Sequence, residues 1–283
     1  APLLIALGLA LLAWAYHAAG GFGEMLTRPS QFADGGPKAG QFWNFFVLAL
    51  TGNVSFWATL ALNIPDFTRF AKSQRDQMIG QALGLLTTMP FIAMVGVVVT
   101  GATVVHFGEA IWNPVDLLAR LTNESGSPLL GLVAMGAILV ATLTTNIAAN
   151  IVAPANSFAN LAPGHISFRQ GGVVAGLIGI VIVPWALLDQ YQTWLLSYSG
   201  LLGAVGGVLI CDYVFVRRGV LDVDDLYRAS GRYSYRSGVN PAAMLALSVG
   251  VAVALVGTIS PPLRSLFDGA WFSAATASGI VYL

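Results

Sequence analysis

The chain has 283 residues, of which 56% are apolar and 9% charged, and its formal net charge is zero. Soluble domains carry roughly 25% charged residues, so this composition excludes an ordinary water-soluble globule, and the balanced charge leaves no basic face for nucleic acid. The single Cys211 excludes an internal disulfide and a thiolate metal cluster.

A membrane-crossing helix needs about 20 mainly apolar residues. Eight such runs follow one another, at 2–19, 42–63, 83–105, 129–151, 172–188, 194–215, 242–259 and 270–283. None alternates in and out with the period of a β-barrel strand, so the spacing predicts an all-α polytopic membrane protein with about eight transmembrane helices. The first run has no charged n-region and does not read as a signal peptide. It opens at Ala1 already apolar, and the last run stops at Leu283 after about 14 residues, short of a full crossing. We therefore expect one transmembrane domain, 1–283, that is a piece of a larger polypeptide.

The loops hold nearly all the charge. Segment 20–41 is rich in Gly, Pro and Ser and reads as irregular, 113–121 has the mixed composition of a short surface helix, and 216–241 is dense in Arg, Asp and Tyr. The last reads as a solvated basic loop that anchors topology. Pooling alternate loops puts Arg69, Lys72, Arg75, Arg169, Arg217, Arg218, Arg228, Arg232 and Arg236 on one side, and Arg28, Lys38, Arg120 and Arg264 on the other. The positive-inside rule then places the richer set, and both ends of the chain, in the cytoplasm of a cell bounded by this membrane. His17, His106 and His165 are far apart and read as structural.

Polar side chains inside spans are costly and point to function. In the second run, Asn53 and Trp57 stand four apart on one helix face. They form either a clamp for a flat hydrogen-bonding ring, indole against its face and amide against its edge, or packing bulk with an amide joining helices. Thr51, Gly52, Asn53 and Ser55 make a weak helical segment where an interruption is expected. At the end of that run, Asp66 is placed to cap a following turn through Thr68 and Arg69.

The fourth run carries Ala141, Thr144 and Thr145 at i, i+3 and i+4, so two hydroxyls and a carbonyl point one way. Such oxygens suit a hard cation, although a membrane Thr can instead bond its own i−4 carbonyl. Asn146 and Asn150 make a second polar pair, with Asn150 roughly 140° around an α-helix from Thr145. There is no HExxH, Walker loop or GxGxxG opening a helix, and no acidic pair or Ser/His/Asp set at membrane depth.

Several stretches together resemble the nucleobase:cation symporter family of the first type, which includes hydantoin, allantoin, uracil and cytosine permeases. They are NIPDFTRFAKSQRDQ at 63–77, TTNIAANIVAPANSFANLAP at 144–163, ISFRQGG at 166–172, CDYVFVRRGVLDVDDLYRASGRYSY at 211–235 and DGAWF at 268–272. The resemblance implies a leucine-transporter-like fold of five-plus-five inverted repeats followed by two further helices, with this chain as spans five to twelve. It implies that Trp57 sandwiches the ligand ring, that Asn150 hydrogen-bonds the ligand, and that the Ala141 carbonyl with the Thr144 and Thr145 hydroxyls binds sodium, favoured over a proton as coupling ion. The family's first-span carbonyls and third-span Trp and Gln would come from missing N-terminal spans. Asn53 and Asn146 are added as substrate contacts from helical spacing alone.

The function so implied is secondary active symport of a nucleobase or cyclic ureide, with wording closer to the allantoin and uracil branch. Its partners are that small molecule and membrane lipid, and no cofactor or catalysis is expected. The alternative is a membrane receptor or sensor for the same ligands, and a membrane-embedded enzyme ranks third.

Overall fold

The computed structural model describes residues 2–27, 29–184, 186 and 190–283. The described residues form helices joined by turns: α1 (Pro2–Ala18), α2 (Phe42–Trp57), α3 (Gln74–Leu83), α4 (Met89–Phe107), α5 (Pro114–Ser125), α6 (Pro128–Asn146), α7 (Val152–Leu161), α8 (Phe168–Ile182), α9 (Tyr191–Cys211), α10 (Pro241–Ile259) and α11 (Ala270–Tyr282). Among the described residues, four continuous helical stretches are long and apolar enough to cross a membrane: Gln74–Phe107, Gly131–Leu161, Thr193–Val216 and Pro241–Ile259. Ile5–Ala18 and Phe168–Ile182 are shorter apolar helices. Trp185, Leu187 and Leu188 of the run expected at 172–188 lie outside the described residues, as does Arg28.

The interruption expected at 51–55 falls elsewhere. α2 runs unbroken to Trp57, and within it Asn53 Nδ2 donates to the Ala49 carbonyl at 2.8 Å and Ser55 Oγ donates to that of Thr51. These polar side chains satisfy themselves on their own helix. The chain breaks instead at Ala58–Thr59, before the short helices Leu60–Asn63 and Pro65–Thr68.

The helices divide into two compact units, Ala1–Ser30 with Asp66–Val181, and Gln31–Pro65 with Ile182–Leu283. In the first, Ala15 of α1, Val95, Val98, Val99 and Ala102 of α4, and Leu117 of α5 form a buried core. Asn113 caps α5 by accepting from the Val115 N–H at 3.0 Å, Pro114 fits its first turn, and Gly126 at φ 61° ends it. The short helix expected at 113–121 forms over Pro114–Ser125, with Leu117 and Leu118 buried. Its Glu124 meets His106 Nε2 at 2.8 Å. α8 lies close on α7, where a Cβ at Gly171 would stand 2.6 Å from the Ala155 carbonyl oxygen. Large apolar side chains such as Val97, Leu132 and Leu139 stand exposed on α4 and α6. Water does not tolerate them in such number, and hydrocarbon does.

In the second unit, α9, α10 and α11 pack through small residues. A Cβ at Gly203 would overlap the Trp271 carbonyl, and one at Gly207 the Ala275 carbonyl. Ser278 Oγ donates across to the Ala204 carbonyl at 2.9 Å. This close backbone approach is how helices associate where apolar burial gives no drive.

The ends of these helices are tied by polar bonds. Asp212 accepts from Arg217 and, at 2.7 Å, from Tyr282 Oη, while Asn240, which caps α10, donates to Tyr282 at 3.1 Å. Burial pulls the Arg217 guanidinium down, but its hydrogen bond to Asp212 and the charge there more than reverse this and leave it above its ordinary value. Loop 216–241 is therefore organised as well as basic, since Asp225 also pairs with Arg228 and Arg232.

Gly207→Val should overpack α9 against α11 and lower stability by about 1–3 kcal/mol, read as a lower melting temperature in detergent. Gly179→Ala on α8, with open space around it, should leave that temperature unchanged or slightly higher.

Candidate functional site

Asn150 sits on a π-helical turn, Ile147–Ile151, set between α6 and α7. The cause lies four residues on. Pro154 has no N–H to offer the Asn150 carbonyl, and its ring would clash with that carbonyl in a regular α-helix. The helix widens by one residue to relieve this, as π-bulges at functional sites commonly do. The same relation recurs at Gly84–Thr88, where Pro90 stands four residues after Leu86.

Asn146 closes α6 and Asn150 lies within the turn, so the two do not keep regular i, i+4 spacing, and the 140° offset from Thr145 calculated for an α-helix does not hold across the turn. Both side chains are exposed, and neither makes a hydrogen bond among the described residues.

On α6, Thr144 Oγ1 donates to the Val140 and Ala141 carbonyls at 2.9 and 3.0 Å. The back-bond foreseen for a membrane Thr is thus present. A hydroxyl that donates keeps its oxygen lone pairs, so the bond does not remove it as a ligand. Two oxygens 3.0 Å apart subtend about 75–80° at a hard cation with bonds near 2.4 Å, and that is a workable edge of a coordination shell. Thr145 makes no side-chain hydrogen bond among the described residues and is exposed. The Ala141 side chain is buried and lines an apolar cavity of about 330 Å³ with Leu11, Val99 and Leu117. The Ala141 carbonyl and the Thr144 hydroxyl therefore stand close enough to share an edge of an oxygen shell.

On α2, Thr51 and Ser55 are fully buried, whereas Asn53 is exposed and Trp57 is half-buried against Phe56, edge to face at 5.2 Å. Asn53 bonds its own helix, which argues against its joining helices and leaves Oδ1 open to accept. Ala141, Thr144, Thr145, Asn146 and Asn150 belong to the first unit, and Asn53 and Trp57 to the second.

Asn156 escaped notice in the sequence. It is 8% exposed on α7, its Nδ2 donates to Asp66 Oδ1 at 2.9 Å, and its Oδ1 accepts from Arg69 Nη2 at 3.2 Å. Asp66 therefore does not cap its own turn as expected. Its carboxylate reaches 90 residues along the chain, joining the NIPDFTRF and APANSF stretches. Both stretches belong to the loops that the alternate-loop count pools on one side.

Residues 1–278 match the family described as permease for cytosine/purines, uracil, thiamine, allantoin. The chain belongs to this permease family. It is 44% identical to the purine-uracil permease NCS1 of Arabidopsis thaliana, over 100% of this chain and 48% of that protein. It is 39% identical to the allantoin permease of Bacillus subtilis (strain 168), over 95% of this chain and 54% of that one. Its fold is that of Mhp1, a nucleobase-cation-symport-1 family transporter solved closed with bromovinylhydantoin bound. The TM-score is 0.70 at 26% identity, covering 99% of this chain and 59% of that chain. The chain spans about half the length of the curated relatives it matches. The permease family and the match to Mhp1 establish the expected fold class, a multi-pass all-α membrane protein of the leucine-transporter type.

Pro154→Ala returns the missing donor to the Asn150 carbonyl. It should stabilise the helix by up to about 3 kcal/mol, read as a higher melting temperature, and slow amide exchange around 150–155. An unchanged temperature with unchanged exchange would contradict this origin of the π turn.

Proposed function

We propose that the protein is a secondary active symporter that imports a nucleobase or cyclic ureide, namely uracil, allantoin or hydantoin, with sodium as the coupling ion. The observation that carries this reading is Asn150, whose amide is exposed and unbonded on a turn opened by Pro154 inside an apolar helix. An unsatisfied amide at membrane depth needs a polar partner. A ring imide or ureide offers adjacent N–H and C=O groups that match both halves of the amide.

Trp57 gives such a ring an aromatic face, and Asn53 and Asn146 supply further amide groups. Ala141 O, Thr144 Oγ1 and Thr145 Oγ1 take the sodium ion, whose remaining ligands come from the part of the relatives that this chain does not span. In that scheme the chain corresponds to spans five to twelve of a twelve-span plan, with the basic loops and both ends in the cytoplasm of a cell-membrane protein. The names of its relatives favour transport over the receptor reading, since they are permeases.

Ion and ligand binding are coupled reciprocally in this scheme, and alternating access moves the ligand. In the natural-length protein, Asn150→Ala and Trp57→Ala should each lower uracil or allantoin uptake by about tenfold or more, equivalent to about 1.4 kcal/mol or more. Uptake unaffected by both would refute these roles. Thr145→Ala should raise the sodium concentration for half-maximal uptake by about tenfold, a loss of the same size. Uptake that never depended on sodium would point to a proton instead.

A further inference from the structure

Asn156 is one residue held between opposite charges, and its neighbours have a second way to be satisfied. Asp66 and Arg69 are three apart on a helical turn, the spacing at which an acid and a base pair directly. Instead each turns to the buried Asn156 amide, carboxylate to its N–H and guanidinium to its C=O. Two arrangements thus exist, one with the amide between the charges and one with the charges on each other. Neither leaves a charge unpaired, but the second takes both partners from the buried Asn156 amide. The observed arrangement is therefore the favoured one of two states between which a conformational switch can move.

Position gives the switch a purpose. Asn156 follows Asn150 by six residues, about 9 Å along a helix, toward the side where the basic loops lie. Asp66 is also where the chain passes from the second compact unit into the first.

We propose that Asp66, Asn156 and Arg69 form a latch that closes the cytoplasmic exit from Asn150 and opens, by direct Asp66–Arg69 pairing, when ligand is released. This rests on the permease reading and on its sidedness. An amide can be turned end for end, so the latch should accept its two charges in either order. A fold contact that only requires Asp66 would not.

The test uses the natural-length protein with Cys211→Ala and a reporter, Ala149→Cys, exposed on the π turn beside Asn150. In oriented vesicles, the rate at which an impermeant maleimide added from the cytoplasmic face modifies residue 149 measures opening on that side. Asn156→Leu, the milder Asn156→Ala, Asp66→Arg alone and Arg69→Asp alone should each raise that rate by about tenfold, the shift expected when one charge-assisted contact is lost. The double exchange D66R/R69D should bring it back to within about threefold of the parent.

Rates in both Asn156 variants within about twofold of the parent, or a double exchange as fast as its single members, would overturn the latch. Equilibrium binding of uracil and allantoin is measured alongside and should change little. A parent that binds neither would count against the permease reading, while the accessibility ratios still decide the latch.

Discussion

A helix in hydrocarbon must satisfy its backbone internally, because no water is present to do so. Much of this chain follows from where that rule is kept and where a proline relaxes it. Pro154 withholds one donor from the Asn150 carbonyl, and the helix answers with a wider turn rather than a break. The crossing survives, and one amide side chain is set out of α-helical register with a polar backbone group beside it. Pro90 produces a like turn at Gly84–Thr88 without placing an amide there. The proline supplies the distortion, and the residue carried on it decides whether an amide stands there.

The same economy of partners describes several other polar residues, though not the buried hydroxyls of Thr51 and Ser199, which have no partner among the described residues. Asn53, Ser55 and Thr144 each bond a carbonyl of their own helix. Each still keeps lone pairs that an ion or ligand can use. Asn156 does the opposite and takes both of its partners from residues nearly ninety positions away. Small residues at 203, 207 and 250 let α9, α10 and α11 approach backbone to backbone, which gives the second unit a firm frame with few large buried side chains.

Most of the helices were legible because apolar runs bounded by charged loops leave little choice of structure. The family was legible from motifs such as NIPDFTRF and APANSFANLAP. The ends of the runs were less so. Helical stretches extend to Gln74 and Leu161 past the apolar boundaries, because Ser73 caps α3 by accepting from the Asp76 N–H and α7 continues through polar residues. The π turn had a visible sign in Pro154, four residues after Asn150, but counting at a uniform 100° per residue hid it. Asn156 had no local sign, because its partners lie in another motif and only folding brings them together. The break after Trp57 had no sign in composition, which marks 51–55 as the weak stretch although the helix continues through it.

The central proposal is that one amide on a proline-opened turn and oxygens on the preceding helix serve coupled ligand and sodium binding. Calorimetric titration of the purified natural-length protein with uracil or allantoin, across a series of sodium concentrations, tests it most directly. The account predicts that sodium raises ligand affinity, that ligand raises sodium affinity by the same factor, and that Asn150→Ala weakens the ligand while Thr145→Ala weakens the ion. Ligand binding that is indifferent to sodium, or that survives both substitutions, would contradict it.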